Sequence, residues 1–152
     1  MSCLTLFLGG TVNNSSWRND IIPLLEHENL NYFNPVVEDW NESCIEKEDL
    51  VKNAENTVEL YVITSDMKGV YSIAEMVDSS NKKPSKTIVY IDKSNFDEAM
   101  LKSLEATLKI VKENKAMIAT SLYNAVYLFK GLEITHRSKR ISILARRLKY
   151  AK

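Results

Sequence analysis

Glycine, proline and cysteine are all scarce in this 152-residue chain, with four, three and two residues respectively. Scarce glycine and proline beside an ordinary apolar fraction exclude a low-complexity or disordered polymer. The length suits one domain that buries a real core without metal or disulfide support. Cys3 and Cys44 lack CxxC spacing, which favours a reduced, cytoplasmic setting over a disulfide framework. No run approaches the roughly 20 apolar residues needed to cross a bilayer. The apolar "CLTLFLGG" near the start lacks a basic leader and is too short for a signal core, so the chain reads as soluble and intracellular. Neither GxGxxG nor GxxxxGK[ST] occurs, which leaves no claim to a dinucleotide fingerprint or a P-loop. No repeat, linker or low-complexity segment is visible.

Charge is balanced in total but not along the chain. Residues 1–59 hold 11 Asp/Glu against 3 Lys/Arg, whereas residues 136–152 hold 7 Lys/Arg and no acid. Such a tail can bind nucleic acid. Its apolar Ile141, Ile143, Leu144 and Leu148, without interleaved aromatics, favour instead a helix docked on the acidic half or on another subunit.

What is present is an alternation of strand and helix patterns. "LTLFLG" (4–9), "TVELYVIT" (57–64) and "KTIVYID" (86–92) are nearly continuous apolar runs, as expected for strands covered on both faces. "NYFNP" and "AMIAT" read as shorter strands. Between them lie helical patterns: "SWRNDIIPLLEHEN", with Ser16 as N-cap and a kink or late start at Pro23; "CIEKEDLVKNAEN", with Ile45, Leu50 and Val51 as its apolar side; "SIAEMVDSSN"; and "FDEAMLKSLEATLKIVKEN" (96–114), with Phe96, Met100, Leu104, Leu108 and Val111 in register. "SLYNAVYLFKG" reads as a last helix closed by Gly131. The alternation predicts an α/β fold: a doubly wound, flavodoxin-like parallel sheet of five strands, order 2-1-3-4-5, with helices on both faces. The expected division is a domain over 1–135 and a basic helical tail over 136–152.

In such a sheet, ligands bind beyond the carboxyl ends of the strands where strand order reverses, here between strands 1 and 3. The loop after strand 1 brings Gly9 and Gly10, which allow close backbone approach, and Thr11, Asn13, Asn14, Ser15 and Ser16 as donors suited to a sugar or phosphate. The loop after strand 3 brings Lys68, Gly69 and Tyr71, then Ser72-Ile73-Ala74-Glu75. That last tetrapeptide has two readings. S-x-x-E is a capping box, with both side chains spent on helix-end amides. Placed at the switch point, Glu75 instead faces a ligand across the crevice from Gly9 and Gly10. Tyr71 and Trp17 can stack on a base or sugar or simply pack. Lys68 and Arg18 can meet a 5′-phosphate or stay solvated. His27 and His136 read as surface residues outside the crevice.

Several pieces recur together: "FLGG", Trp17-Arg18 opening the first helix, Asn34-Pro35 ending strand 2, an acidic second helix with Ala54-Glu55, and S-x-x-E opening the third. In this order they resemble the nucleoside 2-deoxyribosyltransferase family, especially its divergent second branch, over roughly residues 4–92. The resemblance implies that Glu75 is the catalytic nucleophile. It implies that Asp49, or Glu48 or Glu46 if the register is shifted, holds the deoxyribose. It also places Gly9, Gly10, Thr11, Trp17, Asn34, Gly69, Tyr71 and Ser72 around the substrate. Tyr71 stands where the better-known branch has glycine, and Ala54-Glu55 replaces an Ala-Asp pair.

The chemistry suits those residues. N-glycosidic cleavage passes through an oxocarbenium-like sugar, which one carboxylate can stabilise and then capture as an ester. Transfer to a second base or hydrolysis by water completes the cycle. The substrate is then a small deoxynucleoside or deoxynucleotide, with no metal and no cofactor, and the resemblance implies a homo-oligomer. Three alternatives stay open: a non-catalytic nucleotide-binding module, an NAD- or ADP-ribose-handling glycohydrolase, and an interaction protein working through its basic tail.

Overall fold

The structure, a computed structural model, describes residues 3–151. Met1, Ser2 and Lys152, which fall within the expected domain and tail, lie outside the described residues. Five parallel strands form one sheet: β1 (Thr5–Gly10), β2 (Asn31–Phe33), β3 (Thr57–Ile63), β4 (Thr87–Ile91) and β5 (Met117–Ile118), in the order β2-β1-β3-β4-β5. They are joined by α1 (Trp17–His27), α2 (Glu42–Asn53), α3 (Tyr71–Lys82), α4 (Glu98–Glu113) and α5 (Leu122–Tyr150), with a 3-10 turn at Pro84–Lys86. The expected architecture is the observed one. No helix among the described residues is long and apolar enough to cross a membrane.

Strand side chains alternate between two cores, which is why the strands read as unbroken apolar runs. On one face Leu6, Leu8, Val58, Leu60, Val62 and Ile88 meet Trp17, Ile21 and Leu25 of α1 and Ala125, Val126 and Phe129 of α5. On the other, Tyr61, Ile63, Val89 and Ile91 meet Met76 of α3 and Leu104 and Val111 of α4. Glu133 of α5 is also buried; it accepts from the Leu4 amide at 2.7 Å and ties this helix to the start of β1.

Five local expectations are corrected. Helix α1 starts at Trp17 and runs through Pro23, so there is no late start; burial of Ile21 and Leu25 on either side offsets the lost hydrogen bond. Gly131 does not close the last helix, which continues unbroken to Tyr150; interior glycine costs only about 1 kcal/mol. Helix α2 buries no residue at all, and the supposed apolar-side residue Leu50 is 74 % exposed. Met100 of α4 likewise faces solvent. The tail is not docked on the chain's own acidic half either: Ile141, Ile143, Leu144 and Leu148 are all exposed.

Buried charge marks the face shared by α2 and α3. Glu59, 1 % exposed in the middle of β3, is paired with Lys83 at 2.6 Å and accepts from the Tyr61 hydroxyl at 3.1 Å. That hydroxyl has one proton, so the Ser79 hydroxyl 3.2 Å away donates to it. Lys83 also donates to the Lys52 carbonyl at 3.0 Å, linking the end of α3 to α2. Lys83→Met should therefore cost about 3 kcal/mol, because it leaves a carboxylate buried without its cation. Urea unfolding checks this, and adding Glu59→Gln should recover most of the loss.

Candidate active site

The crevice begins where β1 ends. Gly9 and Gly10 are the last two residues of the strand and not a loop after it. A Cβ on Gly9 would stand 3.0 Å from the Tyr61 ring, so Gly9 makes room for a core tyrosine. Gly10 has φ +119° and a Cβ there would run into the Val62 backbone, so glycine is required. Thr11 is buried and used up structurally. Its amide donates to the Val62 carbonyl at 2.9 Å and its hydroxyl accepts from the Thr64 amide at 3.0 Å. Its carbonyl accepts from Trp17 Nε1 at 2.9 Å and Arg18 Nη1 at 2.8 Å.

Those bonds fix how Trp17 and Arg18 are held. Trp17 is buried with its indole committed, and Arg18 spends its guanidinium on the Leu8 and Thr11 carbonyls. Burial pulls the Arg18 pKa down to about 10, against the opposing pull of Glu48. Arg18 is thus neither solvated nor turned toward a cavity, whereas Trp17 lines a cavity of about 160 Å³ with Ser15, Asp20, Thr64 and Asp92. Lys68, which forms no ion pair among the described residues, lines a cavity of about 120 Å³ with Gly10, Thr11, Met67, Gly69, Tyr71 and Ser72.

Ser72 and Glu75 do not make a capping box. The N-cap of α3 is Val70, with no side-chain cap bond, and Tyr71 is the first helical residue. Ser72 Oγ turns instead to the Gly10 carbonyl, donating at 3.2 Å across the β1/β3 crevice. Glu75 lies past the first turn, where the helix dipole has largely faded. Its Oε1 accepts from Lys52 Nζ of α2, and no hydrogen bond reaches Oε2 among the described residues. The carboxylate lines a second cavity of about 240 Å³, with Asp49, Lys52, Asn53 and Tyr71. Glu75 thus faces α2 and not the glycine turn, and the exposed Tyr71 borders both cavities.

The electrostatics follow from that grouping. Burial alone would lower the Lys52 pKa, but the hydrogen bond and charge of Glu75, then Glu59 and Glu48, raise it overall. The ammonium therefore keeps its charge and holds Glu75 in place. Burial raises the Glu48 carboxyl above its usual range; Lys52 and Arg18 oppose that, while Glu75 and Asp49 add to it. A folded carboxyl with a raised pKa favours folding at low pH, and that contribution is lost as pH rises through the raised value. Glu48→Gln should then raise the Tm at pH 7 and leave it unchanged near pH 4, as measured by thermal melts at both. An equal shift at both pH values would remove Glu48 from the charge cluster.

Of the residues expected around a substrate, Glu75, Asp49 and Tyr71 share one cavity, and Gly10, Thr11, Gly69, Tyr71 and Ser72 share the other. Asn34 lines neither; its side chain accepts from the Val36 amide at 3.1 Å. His27 is exposed, while His136 is half-buried and outside both cavities. Sequence reasoning missed Lys52, Glu59 and Lys83. A glutamate inside the apolar run "TVELYVIT" was the available signal, since a charge there needs a cation brought by a neighbouring element.

A parallel doubly wound sheet, with one cavity at the β1/β3 switch point and the Glu75 carboxylate in a second cavity between α2 and α3, defines the class as an α/β protein. More narrowly, the model of the nucleoside 2-deoxyribosyltransferase-like family matches residues 3–119, and the chain belongs to that family. No curated protein and no solved structure matches it.

Proposed function

We propose that the protein cleaves the N-glycosidic bond of a 2′-deoxynucleoside or deoxynucleotide, with Glu75 as the nucleophile. The observation that carries this reading is the Glu75 carboxylate itself: held through one oxygen by Lys52, with the other unbonded among the described residues, in a cavity on the scale of a sugar. Family membership supports the same class of chemistry.

In this reading the deoxyribose occupies the Glu75 cavity, where Asp49 accepts from its hydroxyls and Tyr71 covers one side. Oε2 attacks the anomeric carbon as the carbon–nitrogen bond breaks. The bond pair leaves with the base, which takes up a proton, and the sugar remains as an ester on Glu75. Water or the nitrogen of a second base then displaces the carboxylate. Lys52 positions Oε1 throughout, and its raised pKa makes it a poor proton donor near neutrality. A 5′-phosphate, where present, would meet Lys68.

The test is incubation of the full chain with deoxynucleosides, their 5′-monophosphates, NAD and free bases, with products identified by mass. Release or exchange of a base from the deoxy substrates is expected. Thermal stabilisation by nucleotides without turnover would contradict the reading, as would cleavage of NAD alone.

A further inference from the structure

Helix α5 outruns the domain it serves. Ala125, Val126, Phe129 and Glu133 are buried, yet every residue from Ile141 to Tyr150 is exposed. Its outward side carries one unbroken repeat: Tyr123, Tyr127, Lys130, Ile134, Arg137, Ile141, Leu144 and Leu148, at alternating steps of four and three. That is heptad spacing across four a and four d positions, the pattern of a helix facing another helix. The six apolar or aromatic members are between 44 % and 73 % exposed. Lys130 and Arg137 have their charges taken up by Glu28 and Glu133, which leaves their methylene stems for contact. Beside the first half of the seam lies a groove of about 630 Å³, lined by Leu24 of α1 and by Tyr123, Val126, Tyr127 and Ile134 of α5.

We propose that α5 is an antiparallel dimerisation helix, which pairs with α5 of a second copy so that each basic tail covers the other copy's α1–α5 groove. Charge selects the direction. Parallel pairing would set two tails side by side, each with 7 Lys/Arg and no acid. Antiparallel pairing sets each tail against residues 122–135, which hold one lysine and one glutamate and so carry no net charge to repel it. A two-fold axis passing between Thr135 and His136 brings the seam into register. Tyr123 then meets the partner's Leu148, Tyr127 meets the partner's Leu144, Lys130 meets the partner's Ile141, and Ile134 meets the partner's Arg137. The overlap is roughly 40 Å of helix at 1.5 Å per residue, and an isologous contact of this kind closes at two copies. The tail lies beyond residue 119, where the family match ends, and the pairing does not rest on the proposed activity.

Sedimentation of the full chain tests it. A two-copy species is expected, and Ile141→Asp with Leu148→Asp, both at exposed sites, should weaken self-association about 100-fold while leaving the helical spectrum intact. Direction is read by crosslinking with Cys3 and Cys44 replaced by serine. Tyr127→Cys chains mixed with Leu144→Cys chains should oxidise to a covalent pair, and neither should link to itself. Self-linking of Leu144→Cys would mean parallel pairing and overturn the proposal. So would a wild-type chain that stays monomeric, whether or not its tail binds anionic phospholipid vesicles or a DNA duplex.

Discussion

Glu75→Gln is expected to keep the fold and lose turnover by about 10⁴-fold. Glutamine is nearly isosteric, and its side-chain oxygen can still accept from Lys52, so the link between α2 and α3 survives. What disappears is the negative charge that stabilises the oxocarbenium-like sugar and the electron pair that captures it. No helix-capping role is at stake, because Val70 and not Ser72 caps α3. The melting temperature should therefore fall only slightly, and deoxynucleoside binding should persist. Base release measured beside thermal melts separates this outcome from unfolding. Lys52→Met gives the complement, since it removes the group that positions Oε1 while sparing the nucleophile.

Gly10→Ala should destabilise the chain by more than about 4 kcal/mol, a large share of a typical total of 5–15 kcal/mol. Two costs combine. The backbone at φ +119° is one that L side chains rarely adopt, and the added Cβ would lie 2.6 Å from the Val62 amide nitrogen. Relief requires β1 and β3 to separate at the point where Thr11 bonds to both Val62 and Thr64. The strands next to the crevice would be the first to part, so any residual folded fraction should also lose ligand binding. Gly131→Ala is the control: nothing lies within 4 Å of a Cβ there, and a helix interior gains about 1 kcal/mol from alanine. Chemical denaturation of both variants measures the opposite signs.

Sheet order was legible because β1, β3 and β4 are covered on both faces and their sequences are correspondingly apolar without break. Helix limits were less so. The late start expected at Pro23 and the helix end expected at Gly131 are overruled, the first by burial of Ile21 and Leu25, the second by helical residues continuing on both sides. In α2 the apolar Ile45 and Leu50 suggested a packed side, yet the helix meets the sheet through polar residues. Lys52 stands 5.4 Å from the Phe7 ring centroid and bonds Glu75. Pattern reading assumes that the apolar side is the inner side, and beside the Lys52–Glu75 pair that assumption fails. The family resemblance could name Glu75 and Asp49 but not Lys52, because that contact joins α2 to α3 and neither segment signals it.

Intact-mass analysis of the chain after rapid quenching with a deoxynucleoside, followed by peptide mapping, tests the central claim most directly. The expected result is a single deoxyribosyl group attached to the peptide that carries Glu75, absent from Glu75→Gln. A sugar adduct on any other residue, or undiminished base release by the glutamine variant, would contradict it.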